Sequence, residues 1–242
     1  MSVERLAELL RDRKSCVVLT GAGVSTESGI PDFRSAEGIW AKYDPFEVAH
    51  IDAIRRDPVR VWEFYALRVD AVSRARPNDG HLALAELEER GRVRGVVTQN
   101  VDGLHARAGS REIVEVHGSL REAACLGCGV RVPMPEAVSG LPLPACPECG
   151  EILKPGVVMF GEMLPADAIE RAQRLAAEAG LLLVVGSSLE VHPVAGLPEL
   201  TLAAGGALAI VNRGSTPWDV HADVVIDGGA GETLRALAGM VD

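Results

Sequence analysis

The chain has 242 residues, 48% hydrophobic and only 4% aromatic, so it can bury a sizeable core and sits with α/β proteins rather than sandwiches or disordered chains. Its 24 Lys+Arg against 34 Asp+Glu give a net charge of -10, which leaves no cationic surplus for a phosphate backbone and argues against direct nucleic-acid binding. No apolar run approaches the roughly 20 residues of a membrane span, so no membrane contact is expected.

The opening stretch MSVERLAELLRDRK interleaves charges with apolar positions and predicts an amphipathic helix, not a signal peptide. CVVLTG (16–21) follows as a short apolar run of the kind that forms a strand buried on both faces. Cys16 within it is expected to pack in the core. Gly21 and Gly23 come next, where one glycine permits a tight turn and the other a close backbone approach to phosphate, ahead of a possible helix. Thr26 stands at the third fingerprint position, and no acidic residue ends a second strand about 20 positions on, as a Rossmann dehydrogenase requires. A turn without a ligand remains open for these glycines alone. The loop instead runs into Asp32, Phe33 and Arg34, an acid, an aromatic and a cation that hydride transfer would not need.

Residues 31–76 break the α/β rhythm with a loop and then helices around DPVRVWEFYALRVDAV. HLALAELEERG (81–91) reads as a helix closing on glycine, and VRGVVTQ (93–99) as a second buried strand. Gln99, Asn100 and Asp102 crowd its end, where unpaired amides and a carboxylate are costly. One of them could simply cap the following GLHARAG segment. IVEVHG (113–118) predicts a strand ending in His117, whose ring titrates near neutrality and suits a general base, although His81, His105 and His192 also lie near candidate segments.

Residues 121–153 are rich in Cys, Gly and Pro. Cys125 and Cys128, then Cys146 and Cys149, form two C-x-x-C pairs with 17 residues between them, the spacing of a tetrahedral zinc site. Four thiolates leave no open coordination position, so one structural Zn²⁺ ion is expected rather than a catalytic one. With no export signal, this cysteine usage points to a cytoplasmic protein. GVVMFG (156–161), LLLVVGSS (181–188), ALAIVN (207–212) and DVVIDG (223–228) complete the predicted strands, with a helix over PADAIERAQRLAAEAG (165–180).

The alternation predicts a doubly wound, parallel, Rossmann-like sheet built from residues 1–30, 77–120 and 154–242. The cofactor loop and helical insertion (31–76) and a four-cysteine zinc ribbon (121–153) would form a smaller lobe facing the rim where the strands end. No internal repeat or low-complexity linker interrupts this plan.

Taken together, GAGVSTESGIPDFR, TQNVDGLH, VHG, the paired C-x-x-C, KPGVVMFGE, VGSSLEVHP and IVNRGSTPWD resemble the sirtuins, the NAD-dependent protein lysine deacylases. These segments occur in family order across nearly the whole chain. The resemblance implies that NAD is consumed as a co-substrate, with an acyl-lysine protein or peptide as the other substrate; a monomer is expected, although the sequence leaves the oligomeric state open. It implies cofactor contacts from Gly21, Ala22, Gly23, Thr26, Asp32, Phe33, Arg34 and Trp40, and from Gln99, Asn100, Val101 and Asp102. The adenosine side would fall to Gly186, Ser187, Ser188, Asn212, Arg213, Gly214 and Ala230. Asn100 and Asp102 would hold nicotinamide in the reactive pose while the acyl oxygen attacks the ribose, and His117 would act as general base on the ribose hydroxyls. Phe160, Gly161 and Glu162, with Leu189 and Val191, would clamp the substrate peptide as an added strand. Lys154 stands where arginine is commoner in the family, and Ser187 replaces a frequent threonine.

Tyr65 and Arg68, three apart and so on one helix face, match a Y-x-x-R pair of family members that remove succinyl or malonyl groups, and Ala49 matches their small pocket alanine. An acidic acyl group is therefore expected beside acetyl. Two other readings stay open at this level: mono-ADP-ribosyl transfer in the same pocket, and an idle NAD-binding interaction module.

Overall fold

A computed structural model describes residues 1–241. The strands, in chain order, are β1 (Cys16–Thr20), β2 (Val93–Thr98), β3 (Ile113–Glu115), β4 (Gly118–Cys125), β5 (Arg131–Pro133), β6 (Leu153–Val157), β7 (Leu181–Val185), β8 (Ala207–Asn212) and β9 (Val224–Asp227). The helices are α1 (Val3–Asp12), α2 (Pro45–Val48), α3 (Ile51–Arg56), α4 (Pro58–Arg74), α5 (Asp79–Glu89), α6 (Leu104–Ala108), α7 (Met134–Ser139), α8 (Ala166–Glu178), α9 (Leu197–Ala203) and α10 (Ala230–Met240). No helix among the described residues is long and apolar enough to cross a membrane.

Six strands form one parallel sheet in the order β3-β2-β1-β7-β8-β9, the chain building outward to one side from β1 and then to the other from β7. The continuous apolar runs have a simple cause: alternate residues feed two cores. Cys16, Val18, Leu183 and Ala209 pack with Leu6, Leu10, Leu84, Leu87, Leu234 and Leu237 of α1, α5 and α10. Val17, Leu19, Leu182, Val184, Leu208 and Ile210 pack on the other face with Ala172, Leu175 and Leu197 of α8 and α9. Burying both faces of a strand leaves no position for a polar alternation, so such strands read as unbroken hydrophobic words.

The second lobe has its own core. Ile54, Val61, Trp62, Phe64 and Tyr65 of the helical insertion pack with Met134 of α7 and with Leu120, Ala123, Val132, Leu153 and Val157 of an antiparallel sheet ordered β5-β4-β6. The buried Trp62 indole donates to Leu153 O at 2.8 Å and ties the two parts together.

Three elements differ from the sequence reading. GVVMFG is not a strand of the parallel sheet: β6 ends at Val157 and pairs antiparallel with β4 in the small lobe, and 158–161 is a rim segment. An apolar run shows burial, not the sheet to which it belongs. IVEVHG stops as a strand at Glu115, so His117 lies in the turn into β4. That turn needs Gly118, whose φ is +73° and where a Cβ would stand 2.3 Å from Gly156 O. The segment after Gly21 is a 3₁₀ turn over Ala22–Ser28 instead of an α-helix.

Candidate active site

A cleft of about 1350 Å³ lies between the lobes at the carboxyl ends of β1, β2, β7 and β8, the crevice that a doubly wound sheet offers a ligand at its switch point. Gly21 N–H donates to Val185 O at 3.1 Å and Gly23 N–H to Gly186 O at 2.9 Å, so the glycine loop is stitched to the loop after β7. A Cβ on Gly23 would stand 2.7 Å from Gly186 Cα, which shows that these glycines serve backbone packing as well as any phosphate.

Beneath that loop the polar side chains form one buried network. Asn100 Nδ2 donates to Gly21 O and to Ser25 Oγ, both at 3.1 Å, and Ser25 Oγ donates to Asp102 Oδ2 at 2.8 Å. Asp102 Oδ1 also accepts the Leu104 N–H at 2.8 Å, so the capping reading and the site reading hold for the same carboxylate. Thr20 Oγ1 donates to Thr98 Oγ1 at 2.8 Å and must take its other bond, at 2.9 Å, from His105 Nε2–H. Thr98 Oγ1 in turn accepts the Asn100 N–H at 3.1 Å. His105 Nδ1 is buried without a partner among the described residues, and burial, with His81 beside it, pushes its pKa down to about 3. Burial likewise lowers His81, against the pull of Asp102 and Glu27.

His117 lines the cleft with its Nδ1 at 3.1 Å from Gln99 O. A carbonyl only accepts, so Nδ1 carries the proton and Nε2 is left as the basic nitrogen. Burial lowers the pKa below the ordinary histidine value, while the Gln99 carbonyl pulls it up. The Gln99 amide itself donates to Ser187 Oγ at 2.9 Å.

The loop over 32–40 closes on itself: Asp32 Oδ1 accepts Ser35 N–H, and Asp32 O and Phe33 O accept Ile39 and Trp40 N–H at 2.9 and 3.0 Å. Phe33 packs against Trp40 with centroids 5.1 Å apart, and the Arg68 guanidinium lies 4.8 Å over the Phe33 ring. Arg34 reaches across the cleft mouth to Glu190 at 3.2 Å. Helix α4 is capped by Asp57, whose carboxylate accepts the Arg60 N–H, begins at Pro58, and presents Tyr65 and Arg68 side by side to the cavity. Burial pushes the Tyr65 phenol up to about 12, against the neighbouring Arg68 charge, so it stays a donor. Burial also lowers Arg68 from its usual value, although a guanidinium remains charged at neutral pH.

Gly21, Ala22, Gly23, Thr26, Asp32, Phe33, Arg34, Trp40, Ala49, Gln99, Asn100, Val101, Asp102 and His117 all line this one cavity. So do Phe160, Gly161, Glu162, Gly186, Ser187, Ser188, Val191, Asn212, Arg213 and Ala230. Leu189 and Gly214 do not. The Leu189 side chain is buried in the α8–α9 core with its backbone at φ +55°, and the Gly214 N–H is taken by Asp227 Oδ1 at 3.2 Å. The Asn212 amide is engaged by Arg213 O and Gly214 O, which shapes its own loop. Sequence reasoning missed Ser25, Glu27 and Glu190. Ser25 sat in plain view in GVST, but its value depends on Asn100 and Asp102, which arrive from β2.

In the small lobe the four cysteine Sγ atoms lie within 4.8 Å of one another, with Cys125–Cys149 at 3.4 Å and Cys128–Cys146 at 3.6 Å. Zinc–sulfur bonds of about 2.3 Å in a tetrahedron require edges of about 3.8 Å, so the donor set and its spacing fit one Zn²⁺ ion. Backbone N–H groups of Cys128 and Gly127 point at Cys125 Sγ, donors that stabilise the thiolate a metal needs.

Fold and site together define a two-lobed, doubly wound α/β nucleotide-binding enzyme with a zinc-ribbon lobe. The Sir2 family model matches residues 21–193, and the chain belongs to the Sir2 family. An NAD-dependent protein deacylase of Thermus thermophilus is 49% identical, covering 97% of this chain and 94% of that protein. NAD-dependent protein deacylase 1 of Archaeoglobus fulgidus is 45% identical, covering 97% and 96%. Among solved structures, a complex of a Sir2 homologue with NAD superposes with a TM-score of 0.92 at 45% identity, covering 98% of this chain and 92% of that one. A Sir2 bound to a deacetylated p53 peptide and 3′-O-acetyl ADP-ribose superposes at 0.95 with 38% identity, covering 100% of both chains.

Proposed function

We propose that this chain is an NAD-dependent protein lysine deacylase that removes acetyl groups and, preferentially, acidic acyl groups such as succinyl. The observation that carries the first part is the convergence of His117, Asn100 and Asp102 under the glycine loop in a single cleft, together with relatives that are named NAD-dependent protein deacylases. NAD supplies the chemistry as co-substrate, an electrophilic ribose that can accept an acyl group. The chain's own residues supply position. Asn100 and Asp102, fixed through Ser25, would present an amide and a carboxylate to the carboxamide of nicotinamide. Holding reactants in a near-attack pose can lower a barrier by roughly 7 to 11 kcal/mol. His117 Nε2 would take a proton from a ribose hydroxyl while Nδ1–H stays on Gln99 O. The Zn²⁺ site, closed by four cysteines, would hold the lobe together and take no part in acyl transfer.

The acyl preference is supported by Arg68 and Tyr65. The Arg68 cation is framed by Phe33 and Phe64 rings at 4.8 and 5.7 Å, and it forms no ion pair with any described carboxylate. A desolvated guanidinium beside a protonated phenol asks for an anion, and Ala49 leaves the cavity wide there. The test compares acetyl- and succinyl-lysine peptides with wild type and Arg68→Met, with products identified by mass spectrometry. Expected are nicotinamide and O-acyl-ADP-ribose from both substrates, with succinyl kcat/KM reduced roughly 10- to 100-fold in Arg68→Met, as the loss of a charged hydrogen bond implies. Equal succinyl activity in the variant would remove the acidic-acyl claim, and unconsumed NAD in wild type would remove the deacylase itself.

A further inference from the structure

Glu162 lines the cleft, yet its carboxylate is turned into its own lobe. Glu162 Oε2 accepts the Met159 N–H at 2.8 Å and stands 3.0 Å from Lys154 Nζ. The same ammonium donates to Val157 O at 2.6 Å and to Pro155 O at 3.2 Å. The Lys154 side chain is only 12% exposed, so these acceptors replace most of its hydration. Lys154 stands on β6, and the segment it grips, from Val157 to Glu162, forms the small-lobe wall of the cleft.

That segment has two other fastenings, both to residues of the site. Val158 N–H donates to His117 O at 2.8 Å, and Phe160 pairs with α2 and α3 through its N–H to Ala49 O at 2.8 Å and the Ile51 N–H to its own O at 3.0 Å. No regular helix or strand runs through 158–162, and Gly161 sits within it at φ +84°. Stiffness must therefore come from the cross-ties. Of these, only the Lys154 grip joins both ends of the segment, Val157 O at the start and the Glu162 carboxylate at the finish.

We propose that Lys154 is a positioning residue whose ammonium, clasping Val157 O and the Glu162 carboxylate, sets the 157–162 segment in the shape that receives the acyl-peptide, resting on the deacylase reading for the identity of that ligand. Glu162 then acts through Lys154 and Met159, not by touching substrate. The expected signature is selective: the peptide side of the cleft loosens while the nucleotide side, built on β1, β7 and β8, does not.

The full chain with its metal, as wild type, Lys154→Met, Lys154→Arg and Glu162→Gln, should be compared by amide hydrogen exchange over 157–162. Calorimetric affinities for an acetyl-lysine peptide and for ADP-ribose complete the comparison. In Lys154→Met the Val158, Met159 and Phe160 amides should exchange roughly tenfold faster and peptide affinity should fall about tenfold, with ADP-ribose affinity within about twofold of wild type. Lys154→Arg, which can reach the same acceptors, should restore both. Glu162→Gln keeps an oxygen for Met159 N–H but loses the ion pair, so it should show an intermediate increase in exchange, and it serves if Lys154→Met does not fold. Unchanged exchange at these amides, or peptide and ADP-ribose weakened alike, overturns the assignment. The exchange reading is independent of turnover, so a wild type that releases no nicotinamide would count against the deacylase activity and not against the grip.

Discussion

At the scale of single residues, the site depends on which nitrogen or oxygen holds a proton. His117 keeps Nδ1–H on Gln99 O, so in its proposed role as general base only a second proton, on Nε2, would disable it. Its pKa is lowered by burial, hence the acid limb of kcat/KM should fall below pH about 6.5 and activity should hold at higher pH. Replacing His117 with Ala should cost about 100- to 10,000-fold in acyl transfer and leave ADP-ribose binding in place, a split that steady-state kinetics and calorimetry would read. His105 has a different consequence. Its folded pKa of about 3 lies below the unfolded value near 6.5, so the unfolded chain binds the extra proton first. Stability from this group is complete above pH about 6.5 and is lost as pH falls towards 3, which thermal midpoints taken across that window should follow, with a smaller slope in His105→Gln. Asn100 and Asp102 were legible because polar side chains gathered at the end of a buried apolar strand need partners there, and a ligand-binding rim supplies them, whereas His117, in the turn after β3, was singled out from the other histidines only by the family resemblance of VHG. Ser25 and Glu27 were not. Ser25 meets Asp102 across 77 positions and Glu27 meets the Gly231 N–H across 204, and no local pattern records a partner that far away.

Elements were legible where burial imposes a pattern and illegible where a single close approach decides. Strands β1, β2, β7 and β8 each declared themselves because both faces are covered, and α5 and α8 because each ends near glycine or a break in its apolar face. GVVMFG carries the same apolar signature, yet it enters the other sheet because Gly118 and Gly156 let β4 and β6 touch: a Cβ on Gly156 would come within 2.6 Å of Glu122 O. The glycine loop follows the same rule. Gly186 has φ +60°, and an added Cβ would lie 2.4 Å from Val24 N. Gly186→Ala therefore combines a left-handed backbone with a clash against main chain, and should lose about 2 to 4 kcal/mol of stability in denaturant titration. Because the same contact shapes the cleft under Gly21 and Gly23, ADP-ribose affinity should fall with it, whereas Gly205→Ala, at φ +81° in open space, should incur only the backbone strain.

The molecule as a whole is two cores joined at a rim, and only one of them has a metal to lose. The large sheet is closed by α1, α5 and α10 on one face and α8 and α9 on the other, with no contribution from the ribbon. In the small lobe, Cys125 and Cys146 are themselves core residues beside Trp62, Ile54 and Leu153, while Phe33 and Trp40 of the cofactor loop pack on that same core. Metal binding there is folding free energy for the lobe, since apposed thiolates would repel without a cation between them. Chelation, or Cys146→Ser, should thus melt the small lobe at a lower temperature while the parallel sheet unfolds in a separate, later transition, visible as two steps by circular dichroism and by Trp fluorescence. Activity should vanish with the first step, because the segment from Val157 to Glu162 and the Phe33–Trp40 stack are both anchored on the lobe that has melted. A single cooperative transition, unmoved by chelator, would mean that the four cysteines hold no stabilising ion and that the two cores fold as one.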